Sequence, residues 1–598
     1  RTEIMPAHFQ DTAGRTLFLR GVNLADAKIP AGQPTHLLSS LSTDPQSCSR
    51  VSYVNVPFGL QDTPAHLARL RSLGFNALRV PVVWEALEHG GPGVYDDEYI
   101  TYIKSFVQLC NDYGFRVIIN PHQDLWSRFT GGSGAPLWTL HACGLNPDHF
   151  ADTHASIRYA EWPRDGDPSD SGGRGKEKDP KSMPPMMWTS NHNRLAPSTL
   201  FALFWAGRNL APKCIIDGVN IQDYLQDHYF AAYGRLVAAL GDLAYAFDSM
   251  NEPESGLLEW QDLEKNEREA SAMMGTAPTP IQAMRLGMGM DQTVDVYRLG
   301  KTGPHKEGST TVRPGRGCWL EKEDARWGWN RSESWPMGTC VWALHNVWDL
   351  KTGELKQRDY FVRQDHGPNT EAQGTAPDCS KDASDWKSTS WKAFFDHWVS
   401  TIRKHSQRSI IFFQPPAFEM PPAALMSPST DFSLLGYSPH FYDGLTIMKG
   451  HWHKHWNVDV LRLLRGQQDI TTKLKAFKVG PTNVRQVISD QLGAMGKDII
   501  PRGTNVPSTS QERLVPVLIG ETGIPFNLDD SKAYTDGDHT SHVAALDAIL
   551  SGCDEHLLNY TLWDYSATNN HEWGDHWNGE DLSIYCSETG SFPDHQYL

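Results

Sequence analysis

Apolar residues along this chain fall into two rhythms. One is helical. Leu67, Leu70 and Leu73 repeat over 63–73, and Ile100, Ile103, Phe106, Val107 and Cys110 form one stripe over 97–113. These spacings put each set on a single helix face. Residues 223–243, 386–405, 484–495 and 542–550 read as helices too. The other rhythm is a short apolar run stopped by a polar residue or proline, the pattern of a strand buried on both faces. It occurs at 16–24, 76–83, 115–120, 244–250, 409–414, 434–439, 515–520 and 557–563. Eight such strands with helical segments between them predict an α/β fold, a parallel sheet closed as a (β/α)8 TIM barrel. Long interruptions at about 131–212, 254–384 and 445–480 follow strands three, four and six. They therefore belong to the carboxyl-end face, where barrels carry function. No repeat divides the chain, so 1–598 reads as one elaborated catalytic domain.

The strand ends carry the chemistry. Strand four stops at Asn251, Glu252 and Pro253, and strand seven stops at Glu521. A lone Asn-Glu-Pro is as readily a helix cap as a catalytic group. A second apolar run ending in a glutamate changes that balance. The other ends supply Asn23, Arg79, His122 with Asp124, His440 with Tyr442, and Trp563; the fifth supplies Gln414, to which no role is assigned. A closed barrel converges these ends on one pocket.

Cleaving a glycosidic bond needs an acid for the leaving oxygen and a carboxylate to meet the charge at the anomeric carbon. In retaining enzymes these two carboxyls stand about 5 Å apart. At that distance one pKa is pushed up, and its owner becomes the acid. Asn251 could bond a sugar 2-OH, Arg79 could hold Glu521 ionised, Tyr442 could align it, and His440 or His122 could contact hydroxyls or the acid. Each alone is more often structural; together at successive strand ends they point to catalysis.

Composition narrows the partners. The formal net charge of −17 argues against nucleic acid and against simple electrostatic attachment to anionic membranes. The 21 Trp mildly favour a carbohydrate ligand, although large cores use Trp as well. Nine scattered Cys have no zinc-ligand spacing, so no structural metal is expected; Cys110 reads as a buried thiol, and a few loop disulfides stay open. No cofactor is expected either, because the carboxylates do the bond chemistry. No 18-residue apolar run predicts a transmembrane helix, and the opening RTEIMPAHFQD does not read as a signal peptide.

The motifs GVN (21–23), LRVPVVWE (78–85), HQDLW (122–126), MNEP (250–253), PHFYDG (439–444), IGETG (519–523) and LWDYS (562–566) together resemble glycoside hydrolase family 5. Within it, the HQD and Lys28 positions resemble endoglycoceramidases, and above all the fungal endoglycoceramidase-related proteins. The resemblance implies an intracellular β-glucosidase, cytoplasmic or vacuolar, acting on a glycolipid: steryl glucoside first, glucosylceramide as the alternative. It implies Glu252 as acid/base and Glu521 as nucleophile. Lys28, His122, Asp124, Asn251, Tyr442 and Trp563 would line the glucose subsite, with Trp563 as its floor. Such relatives carry a β-sandwich after the barrel; only 35 residues follow Trp563 here, and no sandwich is evident. The apolar pieces 183–188, 200–205 and 415–426 are candidates for a lipid cleft, and transient contact with a membrane surface follows from such a substrate. Two rivals stand beside this reading: an endo-acting enzyme that releases a whole oligosaccharide, and a catalytically silent carbohydrate- or lipid-binding barrel.

Overall fold

Residues 16–24 do not form one strand. In the computed structural model Thr16–Leu17 pairs antiparallel with Phe9–Gln10, and the chain then turns into the first barrel strand, β1 (Arg20–Asn23). The structure describes residues 8–11, 13–163, 178–266, 273–300, 303–362, 386–422, 424–425, 430, 432–466, 470–500 and 515–588. Residues 164–177, a polar run within the interruption at 131–212, lie outside them.

Seven further strands follow: β2 (Ala77–Val83), β3 (Arg116–His122), β4 (Ala246–Asp248), β5 (Ile410–Phe413), β6 (Leu435–Tyr437), β7 (Leu518–Thr522) and β8 (Asn559–Leu562). They are hydrogen-bonded in the order β6-β5-β4-β3-β2-β1-β8-β7, every pair parallel. Parallel bridges Tyr437↔Val517 and His440↔Glu521 join the two outer strands and close the barrel. The principal barrel helices are α1 (Thr63–Ser72), α2 (Asp97–Asp112), then α4 (Ile221–Leu240), α5 (Lys392–Arg403), α6 (Pro481–Lys497) and α7 (Thr540–Glu555), with α3 (Leu195–Leu210) in the insertion after β3. Strict alternation fails once. Among the described residues no helix joins β5 to β6; Pro415, Pro416, Pro421 and Pro422 remove backbone donors there.

Side chains alternate across each strand, and this sets the height of the site. Leu19, Ala77, Ile118, Ala246, Phe412 and Leu518 point inward and pack with Phe9, an apolar plug in the barrel floor. Two residues further along four of these strands, β2 to β5, the inward layer turns polar: Arg79, Asn120, Asp248 and Gln414, all buried; on β1 and β7 the position is glycine. The outward set, including Val80, Val117, Ile119, Phe247, Ile411 and Ile519, packs on the helices.

The apolar piece 200–205 is not part of a cleft. Leu200, Phe201, Leu203, Phe204 and Trp205 are fully buried on α3, where Phe204 and Trp205 pack edge-on against Phe394, and Phe201 against Trp126. The helix is apolar nearly all round because the insertion covers its outer side. The insertion after β4 carries an antiparallel sheet of Gly275–Ala277, Gln292–Gly300 and Gly303–Val312. The eight described cysteines are free thiols, and Cys110 is buried.

Candidate active site

Arg79, on β2 and wholly buried, organises the pocket. Its Nε donates to Asp248 Oδ2 at 2.9 Å, one terminal nitrogen to Asn23 Oδ1 (2.9 Å) and Glu521 Oε1 (2.8 Å), and the other to Asn251 Oδ1 (2.8 Å). A planar fork with five donors can serve four partners at once; an ammonium cannot. Burial raises the Asp248 carboxyl to about 6 even against the pull of Arg79.

Glu521 lies within β7, where its strand bridges to His440. Tyr442 donates its hydroxyl to Glu521 Oε2 at 3.1 Å, opposite the arginine. Across the pocket, Glu252 sits four residues beyond β4 at φ 35, a backbone state that costs a non-glycine residue about 1 kcal/mol or more. Gln123 holds it there: its Nε2 donates to the carbonyls of Asn251 (2.8 Å) and Glu252 (2.9 Å).

His440 stands between the two glutamates. Its Nδ1 lies 2.7 Å from Glu252 Oε1 and 3.4 Å from Glu521 Oε2. Its Nε2 faces the amide nitrogen of Gln414 at 2.9 Å and Arg79 at 3.4 Å. With donors on that side, Nε2 is the acceptor and Nδ1 carries the proton, the tautomer this network assigns. Burial drives the imidazole pKa down to about 3, so it stays neutral. Gln414, to which the sequence assigns no role, therefore sets the tautomer through which His440 donates to Glu252. Burial raises Glu252 to about 7, and the charge of Asp124 adds to the shift. Ligand atoms of Glu252, His440 and Glu521 all lie within 4.8 Å of one another. That trio could meet on a cation, but Arg79 presses against it and the atoms are already hydrogen-bonded. Another such set, His571, Cys586 and Glu588, is at the surface.

The far wall is built from β3, β8 and their loops. His122 bonds Asn120 (2.8 Å) and Asp124 (3.1 Å), and its ring stacks on Trp563 at 5.5 Å. Lys28 is nearly enclosed: its Nζ sits 4.5 Å from the ring centre of Trp563, 3.8 Å from that of Trp577, and 3.5 Å from Asp575 Oδ2. Burial alone would lower its pKa, but Asp575, Glu580, Asp124 and Asp564 hold it above the usual value. Glu580 accepts from Trp188 Nε1 at 2.8 Å, and Trp188 packs edge-on against Trp577 at 4.9 Å. Burial pushes Glu580 to about 8. Trp577 and Asn578 donate to the carbonyls of Gly132 and Gly131, so the segment after β8 is pinned onto the loop after β3. Trp577, Asp575 and Glu580 have no motif or periodicity to mark them; their one signal is acids and tryptophans crowded together just after strand eight. Trp188 ends the apolar piece 183–188, but nothing in that piece marks it as a partner of Glu580.

A family model described as cellulase, glycosyl hydrolase family 5, matches residues 41–161. Over 603 residues the chain is 37% identical to a glucosylceramidase of Aspergillus fumigatus, covering 99% of this chain and 74% of the relative. The chain belongs to glycosyl hydrolase family 5. Within the family it is also 36% identical to an ergosteryl-beta-glucosidase of Saccharomyces cerevisiae, over 97% of this chain and 75% of the relative. The crystal structure of Cryptococcus neoformans sterylglucosidase 1 superposes with a TM-score of 0.86 at 38% identity, over 98% of this chain and 80% of that one.

Proposed function

We propose that the chain is a retaining exo-β-glucosidase of glycolipids, with steryl β-glucoside as its preferred substrate and glucosylceramide as the alternative. The reading rests on one observation: Glu252 and Glu521 approach within 4.8 Å, facing each other across His440. That is the separation of direct attack rather than of an interposed water. Glu521, fixed by Arg79 and Tyr442, attacks the anomeric carbon. Glu252 gives its proton to the aglycone oxygen, the C–O bond breaks, and the lipid alcohol leaves. Glu252 then takes a proton from water, which displaces Glu521 and releases glucose. His440 donates to one oxygen of Glu252 and leaves the other to carry the catalytic proton. Asn251 accepts from Arg79 and donates to the Gln123 carbonyl at 3.1 Å, leaving one amide hydrogen for the sugar 2-OH.

The acid must be protonated for the first step. With Glu252 at about 7, kcat/KM is expected to fall as pH rises through that value. Glu252→Gln is expected to cost about 10²–10⁴-fold on lipid glucosides and to abolish that alkaline limb on activated aryl glucosides. A limb that persists in the variant would remove Glu252 from the role.

Trp188, Trp577 and Glu580 form an end wall beside Lys28 and Asp124, which favours a pocket for one sugar over an open groove. For the aglycone the candidate is a cluster in which Met187, Met274 and Trp162 are buried and Met183, Met186, Met448 and Leu299 pack half-buried against them. Methionine suits a flat, irregular apolar ligand. This cluster, which includes part of 183–188, takes the place of 200–205 as the candidate lipid cleft. Side by side, steryl glucoside and glucosylceramide are expected to yield free glucose while a lactosyl lipid is spared. Release of intact lactose would overturn the exo reading.

A further inference from the structure

We infer that the ribbon after β6 docks the enzyme on the surface of an anionic bilayer, an inference that rests on a membrane glycolipid being the substrate. The ribbon pairs Trp456–Val458 antiparallel with Phe477–Val479, and its amphipathicity is reversed. Trp456 pairs with Val479 and Val458 with Phe477, so these four apolar side chains share one face. That face looks outward: Phe477 is 51% and Val479 61% exposed. The polar residue between them in register, Asn457, is buried and donates to Asp443 Oδ2 at 3.2 Å. The ribbon's inner side packs on α6. A ribbon folded only for its own domain would turn these faces the other way.

The apolar face is not isolated. Leu474, on Ile470–Ala476, is 71% exposed, and Leu464, on Val460–Arg465, is 39% exposed. Leu474 and Val479 are the two most exposed large hydrophobic side chains among the described residues. These exposed side chains stand on neighbouring elements, 460–465, 470–476 and 477–479, and such a grouping marks an interaction surface.

Charge names the partner. The chain carries −17 overall, yet residues 449–480 hold seven Lys or Arg against two acidic residues. Arg462 and Arg465 are paired with Asp459 and Asp498, and Lys449 bonds the Gly300 carbonyl. Lys454, Lys473, Lys475 and Lys478 have no acidic partner among the described residues. Lys478 shares the inner face with Asn457, but Lys454, Lys473 and Lys475 are exposed, and unpaired lysines together with exposed Leu, Phe and Val, with a Trp at the edge, suit a headgroup and acyl-chain boundary. The general negative charge, which opposes such attachment, is locally reversed. No helix of the described residues is long and apolar enough to cross a membrane, so the contact is peripheral.

The patch is joined to the site. Asp443, which anchors Asn457, follows Tyr442 directly. Met448, in the helix that follows, packs against the methionine cluster taken above as the candidate lipid cleft. Docking through the ribbon would hold that cluster near the lipid surface.

The test uses the full chain with vesicles of phosphatidylcholine alone or mixed with phosphatidylserine. Binding to the mixed vesicles is expected, weakened by salt, and lowered at least about tenfold in Lys473→Glu/Lys475→Glu, since each charge near an anionic surface counts. Leu474→Ser/Phe477→Ser/Val479→Ser is expected to lose binding as well. In both variants turnover of vesicle-embedded glycolipid falls, while turnover of a soluble aryl β-glucoside is unchanged. Equal binding by parent and variants, or no binding to mixed vesicles, would overturn the docking surface. So would a dimer of the parent chain that the triple variant dissociates. Failure of the parent to cleave the aryl glucoside would instead sink the glucosidase reading, since vesicle binding is read without hydrolysis.

Discussion

Glu521→Gln is expected to lower kcat on every β-glucoside by several orders of magnitude, approaching the roughly 10⁶-fold losses seen when a catalytic nucleophile is removed from other hydrolases, with KM little changed. Glutamine keeps the shape and the contact with Tyr442 but cannot attack the anomeric carbon or be displaced by water. Unlike loss of the acid, this defect does not depend on the leaving group, because both steps pass through the same oxygen. Equal losses of kcat/KM on a lipid glucoside and on an activated aryl glucoside distinguish it from Glu252→Gln, where kcat/KM on the activated substrate is spared and only the second, water-dependent step still slows. A Glu521→Gln variant that still turns over aryl glucosides near the parent rate would contradict the role given to the residue.

Arg79→Leu is expected to remove activity and to destabilise the fold by about 3–5 kcal/mol, the usual cost of leaving a buried charge without its partner. The change strands Asp248, which is wholly buried, and frees Glu521 and Asn251 from their common anchor. Chemical denaturation of the variant reads the stability loss. Arg79→Lys separates the two functions. It restores a positive charge and part of the stability, but one ammonium cannot reach Asp248, Asn23, Glu521 and Asn251 together, so kcat stays low. A fully active lysine variant would mean that charge, rather than the fork, is what the site needs.

These residues also show why part of the site is legible in the amino-acid pattern alone. Glu252, His440, Tyr442 and Glu521 stand where an apolar run breaks into polar residues, whereas Arg79, read as a strand end, is the third residue of β2 and interrupts an apolar run that goes on to Val83. In a parallel barrel that break marks the carboxyl end of a strand. The inward layer above the apolar plug follows from the period of two, which carries the chain from Ala77 to Arg79 and from Ala246 to Asp248. Spacing says nothing about coverage, however. The apolar stretch on α3 reads equally well as a cleft or as core, and only the packing of Phe394 and Trp386 on Trp205 places it inside. Gln414 is visible as a strand end, but its role lies in a histidine tautomer that depends on Arg79 and Gln414 meeting one ring nitrogen. The end wall is illegible for another reason. Trp188 and Glu580 are 392 residues apart; one lies in the 3-10 helix Met187–Asn193 and the other in a loop, where neither rhythm operates. The ribbon at 456–479 carries a strand-like alternation whose outward apolar face would, by pattern, belong to the core.

The central claim is that Glu521 bonds covalently to glucose while Glu252 serves the leaving group. Incubation with a 2-deoxy-2-fluoro-β-glucoside bearing a good leaving group slows both steps and lets the glycosyl-enzyme accumulate. Mass spectrometry of the protein and its peptides is predicted to find one fluoroglucosyl group on Glu521, absent from Glu521→Gln. A label on Glu252 or elsewhere, or turnover that yields α-glucose without any adduct, would contradict the account.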